Sequence, residues 1–265
     1  MELIFLKLGG SLITHKDKPF TERREAIERL AREIHEARQE KEFSLLIGNG
    51  GGSYPHTAAK NYRTAKGIIN QDSYRGIAEV QDAAARLNRI IIRALLDAGE
   101  NAISIQPSSV CITENSRITE FHTKPLEILL KKQMLPVVYG DVGLDAQQGC
   151  SIISTEELFV FLAKKLKPQK IIMAGVVDGV FTADPIKDEN AQMISEITPK
   201  NYPEIKQMLS GSMGIDVTGG MVLKVEKALE MALTGAEVSI INGLVENRVK
   251  EALLGKEIVS TVIKD

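Results

Sequence analysis

The chain has 265 residues, with 33 Lys and Arg against 35 Asp and Glu, a net charge of −2 and a pI near 6.2. This balance argues against a protein that binds nucleic acid through a basic surface, and no run of about 20 apolar residues predicts a membrane span. Hydrophobic residues make up 43% of the chain, enough for the core of one large α/β domain or two small ones.

Short apolar runs alternate along the chain with longer segments of helical periodicity. The predicted strands are 3–8, 44–47, 102–105, 135–139, 170–174, 237–241 and 258–263. The predicted helices are 21–40 with Thr21 as N-cap, 72–98, 125–133, 155–166, 222–233 and 245–254. Residues 185–203 are polar and rich in turn formers, which indicates a loop or hairpin. Alternating strands and helices predict a mostly parallel sheet, with ligands bound beyond the carboxyl ends of its strands.

The two cysteines, Cys111 and Cys150, lie far apart, and no CxxC or Cys/His cluster predicts a zinc site. We expect both to be reduced thiols, as in a cytoplasmic protein. The first apolar run is short and lacks the basic flank of a signal peptide.

A glycine-rich turn with lysines on both sides follows the first predicted strand. Lys7 stands near the end of the strand, Gly9, Gly10 and Ser11 follow, and Lys16 lies in the polar loop beyond. Glycine lets backbone N–H groups approach an anion, and lysine adds a mobile positive charge. The turn therefore predicts an anion site. A tight strand-to-loop turn with solvated lysines is the alternative interpretation.

Three consecutive glycines, Gly50 to Gly52, follow the second predicted strand. Each glycine costs roughly 0.5–1 kcal/mol relative to alanine in regular structure, so such a run indicates a close approach of the backbone to another group. The run is not a dinucleotide fingerprint, because Ser53 replaces the third glycine, and it lacks the Gly-Lys-[Ser/Thr] ending of a P-loop. His56 stands near the start of the next helix, where it is either a phosphate donor or an ordinary exposed histidine.

Other turns stand at strand ends or before a helix. Gly219 and Gly220 precede the predicted helix that bears Lys224, and a helix N-terminus with a nearby lysine can bind an anion. The pairs Gly140-Asp141 and Asp178-Gly179 follow strands, as ordinary turns or as parts of a site. Several anion sites in one chain point to more than one phosphate, and hence to phosphoryl transfer.

With these motifs, the chain resembles the amino acid kinase superfamily over nearly its whole length. The segments that carry the resemblance are Lys7 to Ser11, Gly50 to Gly52, Val177 to Val180 with Asp184-Pro185, and Asp216 to Met221 with Lys224. Within the superfamily it is most similar to the isopentenyl phosphate kinases, through Gly50 to His56, Pro107 to Ser109, Gly140 to Val142 and Asp216 to Lys224. That family usually has His directly before the glycine triplet, where this chain has Asn49. It often has Gly-Asp where this chain has Thr155-Glu156.

The resemblance implies a three-layer αβα sandwich around a mostly parallel sheet, as one domain over 1–265. The part up to about residue 150 would hold the acceptor phosphate, and about 151–265 the nucleotide. It also implies a homodimer that uses Mg-ATP to convert isopentenyl phosphate to isopentenyl diphosphate. Mg²⁺ would be held mainly by ATP rather than by protein side chains.

The resemblance further implies roles for individual residues. The catalytic residues would be His56, Lys7, Lys16 and Lys224. ATP would be bound by Lys7, Gly9, Gly10, Ser11, Gly52, Asp178, Phe181, Gly219, Gly220 and Lys224. The acceptor would be bound by Gly51, Gly52, His56, Gly140, Asp141 and Thr155. His56 would orient the acceptor phosphate, the lysines would neutralise the transferred phosphoryl group, and Asp141 would orient the lysines.

Two other functions fit parts of the same pattern. One is a kinase with a different acceptor, such as fosfomycin or an amino acid carboxylate, although a carboxylate would favour an Arg clamp and a monophosphate suits His56. The other is a non-catalytic protein that binds a nucleotide or oxyanion, against which the three lysines argue.

Overall fold

The structure is a computed structural model, and it describes residues 1–183, 185, 188–211 and 220–265. Gly219, the stretch 216–218 and Asp184, which the sequence places near the nucleotide, lie outside these residues. In the described ranges, no helix is both long and apolar enough to cross a membrane.

Strands in the described residues form three sheets. In chain order they are β1 (Leu3–Leu8), β2 (Ser44–Asn49), β3 (Ala102–Ser104), β4 (Cys111–Glu114), β5 (Arg117–Phe121), β6 (Leu135–Tyr139), β7 (Asp141–Asp145), β8 (Gly149–Ile153), β9 (Lys170–Gly175), β10 (Val180–Phe181), β11 (Met193–Ile194), β12 (Glu196–Ile197), β13 (Glu237–Asn242) and β14 (Thr261–Ile263). The central sheet has eight strands in the order β12-β14-β13-β9-β1-β2-β6-β3. Neighbouring strands in it are parallel except β13 and β14, which confirms the mostly parallel sheet.

Helices cover both faces of this sheet. They are α1 (Gly10–Ile13), α2 (Arg24–Glu40), α3 (Ser53–Tyr62), α4 (Asp72–Asp97), α5 (Lys124–Lys131), α6 (Thr155–Leu166), α7 (Tyr202–Gly211), α8 (Gly220–Ala232) and α9 (Arg248–Leu254). Because side chains alternate across a strand, Ile4 and Leu6 pack in one core with α2, α4 and α9, whereas Phe5 packs in the other with α6 and α8. These two cores confirm the predicted three layers.

A four-stranded sheet, in the order β5-β4-β7-β8, was not predicted from the sequence. Asp145 joins its two hairpins by accepting backbone N–H groups from Ser116 at 2.8 Å and Gln148 at 3.1 Å. Burial opposes ionisation of this carboxylate, but these backbone donors outweigh it and lower the pKa of Asp145 to about 2. The predicted hairpin in 185–203 corresponds in part to β11, which pairs with β10 just before that segment.

Two predicted helix starts are wrong by three residues. Helix α2 begins at Arg24, and Thr21 lies in a preceding loop closed by a bridge between Thr14 and Glu22. Helix α9 begins at Arg248 rather than at 245. In both places tertiary contacts hold a turn that the apolar periodicity does not reveal. The cysteines are buried and free, as expected.

Candidate active site

Two glycine turns meet backbone to backbone at the carboxyl edge of the central sheet. Gly9 donates its N–H to the carbonyl of Ala174 at 2.8 Å, which ties the first turn to β9. A Cβ on Gly10 would lie 2.6 Å from the nitrogen of Gly52, and one on Gly50 would lie 2.7 Å from the nitrogen of Gly10. The glycines therefore allow the two turns to touch, in addition to any contact with an anion.

This packing predicts that Gly10→Ala lowers the free energy of unfolding by about 1–3 kcal/mol, because backbone atoms must shift to admit the methyl group. Gly175→Ala is the matched control at the same edge, since the nearest atom to its added Cβ is 4.0 Å away. Urea denaturation of both variants checks the difference. Equal stability of the two would show that Gly10 is not required for packing.

The buried Lys7 and the partly buried Glu156 form an ion pair at the centre of this edge. Lys7 is the fifth residue of β1, and its Nζ lies 2.7 Å from Oε1 of Glu156 in the first turn of α6. Burial disfavours the charged carboxylate, but the ammonium of Lys7 and, more weakly, that of Lys224 hold the pKa of Glu156 below its ordinary value. Two of the predicted catalytic lysines are thus gathered around one carboxylate.

Asp141 stands elsewhere in the site. Its carboxylate accepts the backbone N–H of Ser108 at 3.0 Å and of Val142 at 2.8 Å, and burial, opposed by these bonds, raises its pKa. The carboxylate paired with Lys7 is that of Glu156, not that of Asp141. The sequence did contain a signal for Glu156, because Thr155-Glu156 stands where the family that the chain resembles often has Gly-Asp.

His56 is the fourth residue of α3, the helix that begins directly after the glycine triplet. Gly52 is the residue before this helix; its φ is +54°, and a Cβ there would lie 2.1 Å from Oγ1 of Thr14. Glycine is therefore needed for the chain to turn from β2 into α3. Desolvation and the ammonium of Lys16 lower the pKa of His56, while Glu156 opposes them. We expect a neutral imidazole at pH 7, able to donate one N–H.

The loop that carries Lys16 is docked on the helix that carries His56. The ring of Phe20 meets that of Tyr54 edge-on at 5.7 Å, and Arg86 lies 5.5 Å above the Phe20 ring. The hydroxyl of Tyr54 donates to Glu22 at 2.7 Å. These contacts, between residues far apart in sequence, hold the exposed Lys16 near His56.

Several residues predicted to bind the acceptor converge next to the triplet. The carbonyl of Asn49 accepts the N–H of Gly140 at 3.0 Å and the hydroxyl of Thr155 at 2.8 Å. A Cβ on Gly140 would lie 3.6 Å from the nitrogen of Gly51. The ends of β2 and β6 and the start of α6 therefore meet at one point, beside Gly51.

Residues predicted to bind ATP lie on several elements. Gly9, Gly10 and Ser11 form the turn into α1. Gly220 begins α8, the helix whose Lys224 helps to lower the pKa of Glu156. Asp178 follows β9, and its carboxylate lies 3.4 Å from the guanidinium of Arg248; Phe181 is in the short strand β10. Asp178 and Phe181 lie on the β13 and β14 side of the edge, because Val180, between them, donates its N–H to Thr261 of β14 at 2.7 Å.

Glu156→Gln is expected to lower kcat by about 10- to 100-fold without raising the KM for ATP. The amide keeps the size of the side chain but no longer fixes the ammonium of Lys7, whereas the surplus of positive charge still attracts phosphate. Glu156→Asp, which keeps the charge, should retain more activity. Steady-state kinetics of the three proteins checks this, and an unchanged kcat in Glu156→Gln would contradict a positioning role.

Comparison with known proteins gives consistent results. The family described as the amino acid kinase family matches residues 2–242. Isopentenyl phosphate kinase of Methanothermobacter thermautotrophicus is 38% identical, covering 98% of both chains; that of Methanocaldococcus jannaschii is 36% identical, covering 96% of both. A crystal structure of isopentenyl phosphate kinase, 34% identical, superposes with a TM-score of 0.85 over 99% of this chain and 100% of the other. A carbamate kinase from Giardia lamblia, 16% identical with a TM-score of 0.73 over 100% of this chain and 99% of the other, shares the fold.

Proposed function

The chain belongs to the amino acid kinase family, and we propose that it transfers the γ-phosphoryl group of ATP to isopentenyl phosphate, giving isopentenyl diphosphate and ADP. The observation that carries this proposal is the grouping of charges at one sheet edge. Lys7 pairs with Glu156 at 2.7 Å. Lys224 helps to hold the pKa of that carboxylate low, and Lys16 helps to lower the pKa of His56 while Glu156 opposes it. Its high-coverage relatives are named isopentenyl phosphate kinases.

The transfer is a displacement at phosphorus. An oxygen of the acceptor phosphate bonds to the γ-phosphorus while the bond to the β,γ-bridging oxygen breaks, and the bonding pair leaves with ADP. The acceptor oxygen is already ionised at neutral pH, so no general base is needed. Catalysis then depends on holding the two phosphates in line and neutralising their charge.

Repulsion between the two substrates is the main barrier that the protein must lower. Two unit charges about 4 Å apart repel by roughly 4 kcal/mol at an effective dielectric of 20. Lys7, Lys16 and Lys224 are assigned to the transferred γ-phosphoryl group and the β-phosphate. The backbone N–H groups of the glycine turns add donors that need no reorganisation.

His56 is assigned to the acceptor phosphate. It lies one helical turn from the triplet, and the charge of Lys16 helps to lower its pKa. A neutral imidazole donates one hydrogen bond to a phosphate oxygen. It adds no positive charge that would slow release of the anionic diphosphate product. Gly51, Gly140 and Thr155 lie at the same corner of the site, and Asp141 is assigned there as well.

We propose that Mg²⁺ enters with ATP, where it would neutralise phosphate charge. Within the described ranges, no group of three or more His, Cys, Asp or Glu side chains is arranged to hold a metal ion. In this proposal the cation is held chiefly by nucleotide oxygens, beside the lysines.

Three further assignments complete the proposal. The chain acts as one domain, with acceptor and nucleotide bound mainly by its first and second parts. It forms a homodimer, for which β3, the terminal strand of the central sheet among the described residues, offers an edge that carries the exposed Ile103. It acts in the cytoplasm, in keeping with its free cysteines.

An ADP-release assay with several acceptors tests the function. Isopentenyl phosphate should give the highest kcat/KM among isopentenyl phosphate, dimethylallyl phosphate, geranyl phosphate and fosfomycin, and ³¹P NMR should show a diphosphate product. If fosfomycin were turned over fastest, the chain would be a fosfomycin kinase instead. No ADP release with any acceptor, together with tight ATP binding, would indicate a binding protein.

A further inference from the structure

Helix α2 holds a distant turn through a buried carboxylate. Glu33 is 3% exposed, and its carboxylate accepts the backbone N–H groups of Asn247 at 3.0 Å, Val249 at 3.1 Å and Lys250 at 3.3 Å. A buried charge is costly unless it is paired and hydrogen-bonded. Glu33 thus takes the place of an N-cap for α9, supplied by another helix.

Arg29, one turn earlier on α2, binds the other end of the same turn. Its guanidinium pairs with Glu33 and donates to the carbonyl of Gly243. Both ends of the segment 243–247, between β13 and α9, are therefore fixed to α2. We call Arg29 and Glu33 the α2 clamp.

The clamped turn lies beside the phosphate-binding turn. The end of β9 contacts both, because the carbonyl of Ala174 accepts the N–H of Gly9 at 2.8 Å and that of Gly175 accepts the N–H of Gly243 at 2.9 Å. A ligand whose phosphates occupy the Gly9 turn has its other end within reach of the turn after β13.

The surface at this point is apolar and exposed. Leu244 is 44% exposed, Val245 38% and, at the end of β9, Val176 39%. Ligands of parallel sheets bind beyond the carboxyl ends of strands, and a purine base needs an apolar face of this kind. Loose packing of the turn would spread these side chains over many positions and weaken such a contact.

We propose that Arg29 and Glu33 are positioning residues for nucleotide binding: they fix the turn 243–247 so that Leu244 and Val245 form an apolar face for the base of ATP. This inference rests on the proposed function, since it takes ATP as the nucleotide. The clamp does not touch the nucleotide and acts through the turn alone.

The test compares Glu33→Gln with Glu36→Gln. Glu36 is the matched control, because it lies on α2 and pairs with Lys250 of α9 at 3.0 Å but has a side chain 51% exposed. Glu33→Gln should raise the KM for ATP by about tenfold, through loss of buried hydrogen bonds to a charged group. The KM for the acceptor and kcat should stay near wild type. Glu36→Gln should leave all three unchanged.

Inorganic tripolyphosphate separates positioning from general damage. It has phosphates but no base, so its inhibition constant against ATP should be the same for Glu33→Gln and the wild type. Equal loss of ATP, acceptor and tripolyphosphate binding would overturn the inference, as would a wild-type KM for ATP.

Val245→Ser tests the base contact if Glu33→Gln does not fold. The side chain is exposed, so folding should be unaffected, and the expected result is again a higher KM for ATP with unchanged tripolyphosphate inhibition. An unchanged KM for ATP would overturn the inference. A wild-type protein that binds neither ATP nor acceptor would instead contradict the proposed function.

Discussion

Replacement of His56 by alanine is expected to lower kcat by about 10²–10³-fold, while the dissociation constant for ATP changes by less than about threefold. The imidazole is assigned to the acceptor phosphate, whereas the nucleotide is assigned to the glycine turns and the lysines. Without the histidine, the acceptor phosphate still enters the site by charge attraction but is no longer held in line with the γ-phosphorus.

His56→Gln is the control for this prediction, because its amide also donates a neutral N–H. It should recover part of the activity that His56→Ala loses, if the role is donation of a hydrogen bond. Calorimetry with ATP and single-turnover kinetics with isopentenyl phosphate measure the two effects separately. Full activity of His56→Ala would contradict the orienting role, and loss of ATP binding would place the histidine on the nucleotide side.

Lys16→Ala is expected to lower kcat by about 10²–10³-fold and to raise the KM for the acceptor much less. The ammonium is assigned to the charge that develops on the transferred phosphoryl group, which it stabilises most in the transition state. An effect confined to the KM would mean that Lys16 binds substrate and transition state equally.

A second measurement on the same variant does not depend on activity. The charge of Lys16 helps to lower the pKa of His56, so its removal should raise that pKa towards the ordinary value near 6.5. NMR titration of the imidazole measures the shift. Lys18→Ala is the matched control, because Lys18 is an exposed lysine in the same loop; it should change neither kcat nor the histidine pKa. An unmoved His56 pKa in Lys16→Ala would contradict their proximity.

The fold was largely predictable because strand and helix signals are local. The run 3–8 and the helix 155–166 agree residue for residue with β1 and α6. The sheet β5-β4-β7-β8 was missed, since its strands are four or five residues long and β4 pairs with β7, about 30 residues further along the chain. The predicted family and reaction agree with the comparisons, whereas the roles of individual site residues stay predictions.

The sequence alone determined that glycine turns and lysines follow strands of one parallel sheet. Since such strands end at a common edge, this was enough to predict a phosphate site and to indicate Lys7, Lys16 and His56. The tertiary structure alone decided which charges meet. Lys7 pairs with Glu156, whereas Asp141 was expected to orient the lysines. Glu33 accepts a hydrogen bond from Asn247 and so holds the turn after β13. These contacts join residues 149 and 214 positions apart, and such pairings depend on how helices pack on the sheet, which no local pattern encodes.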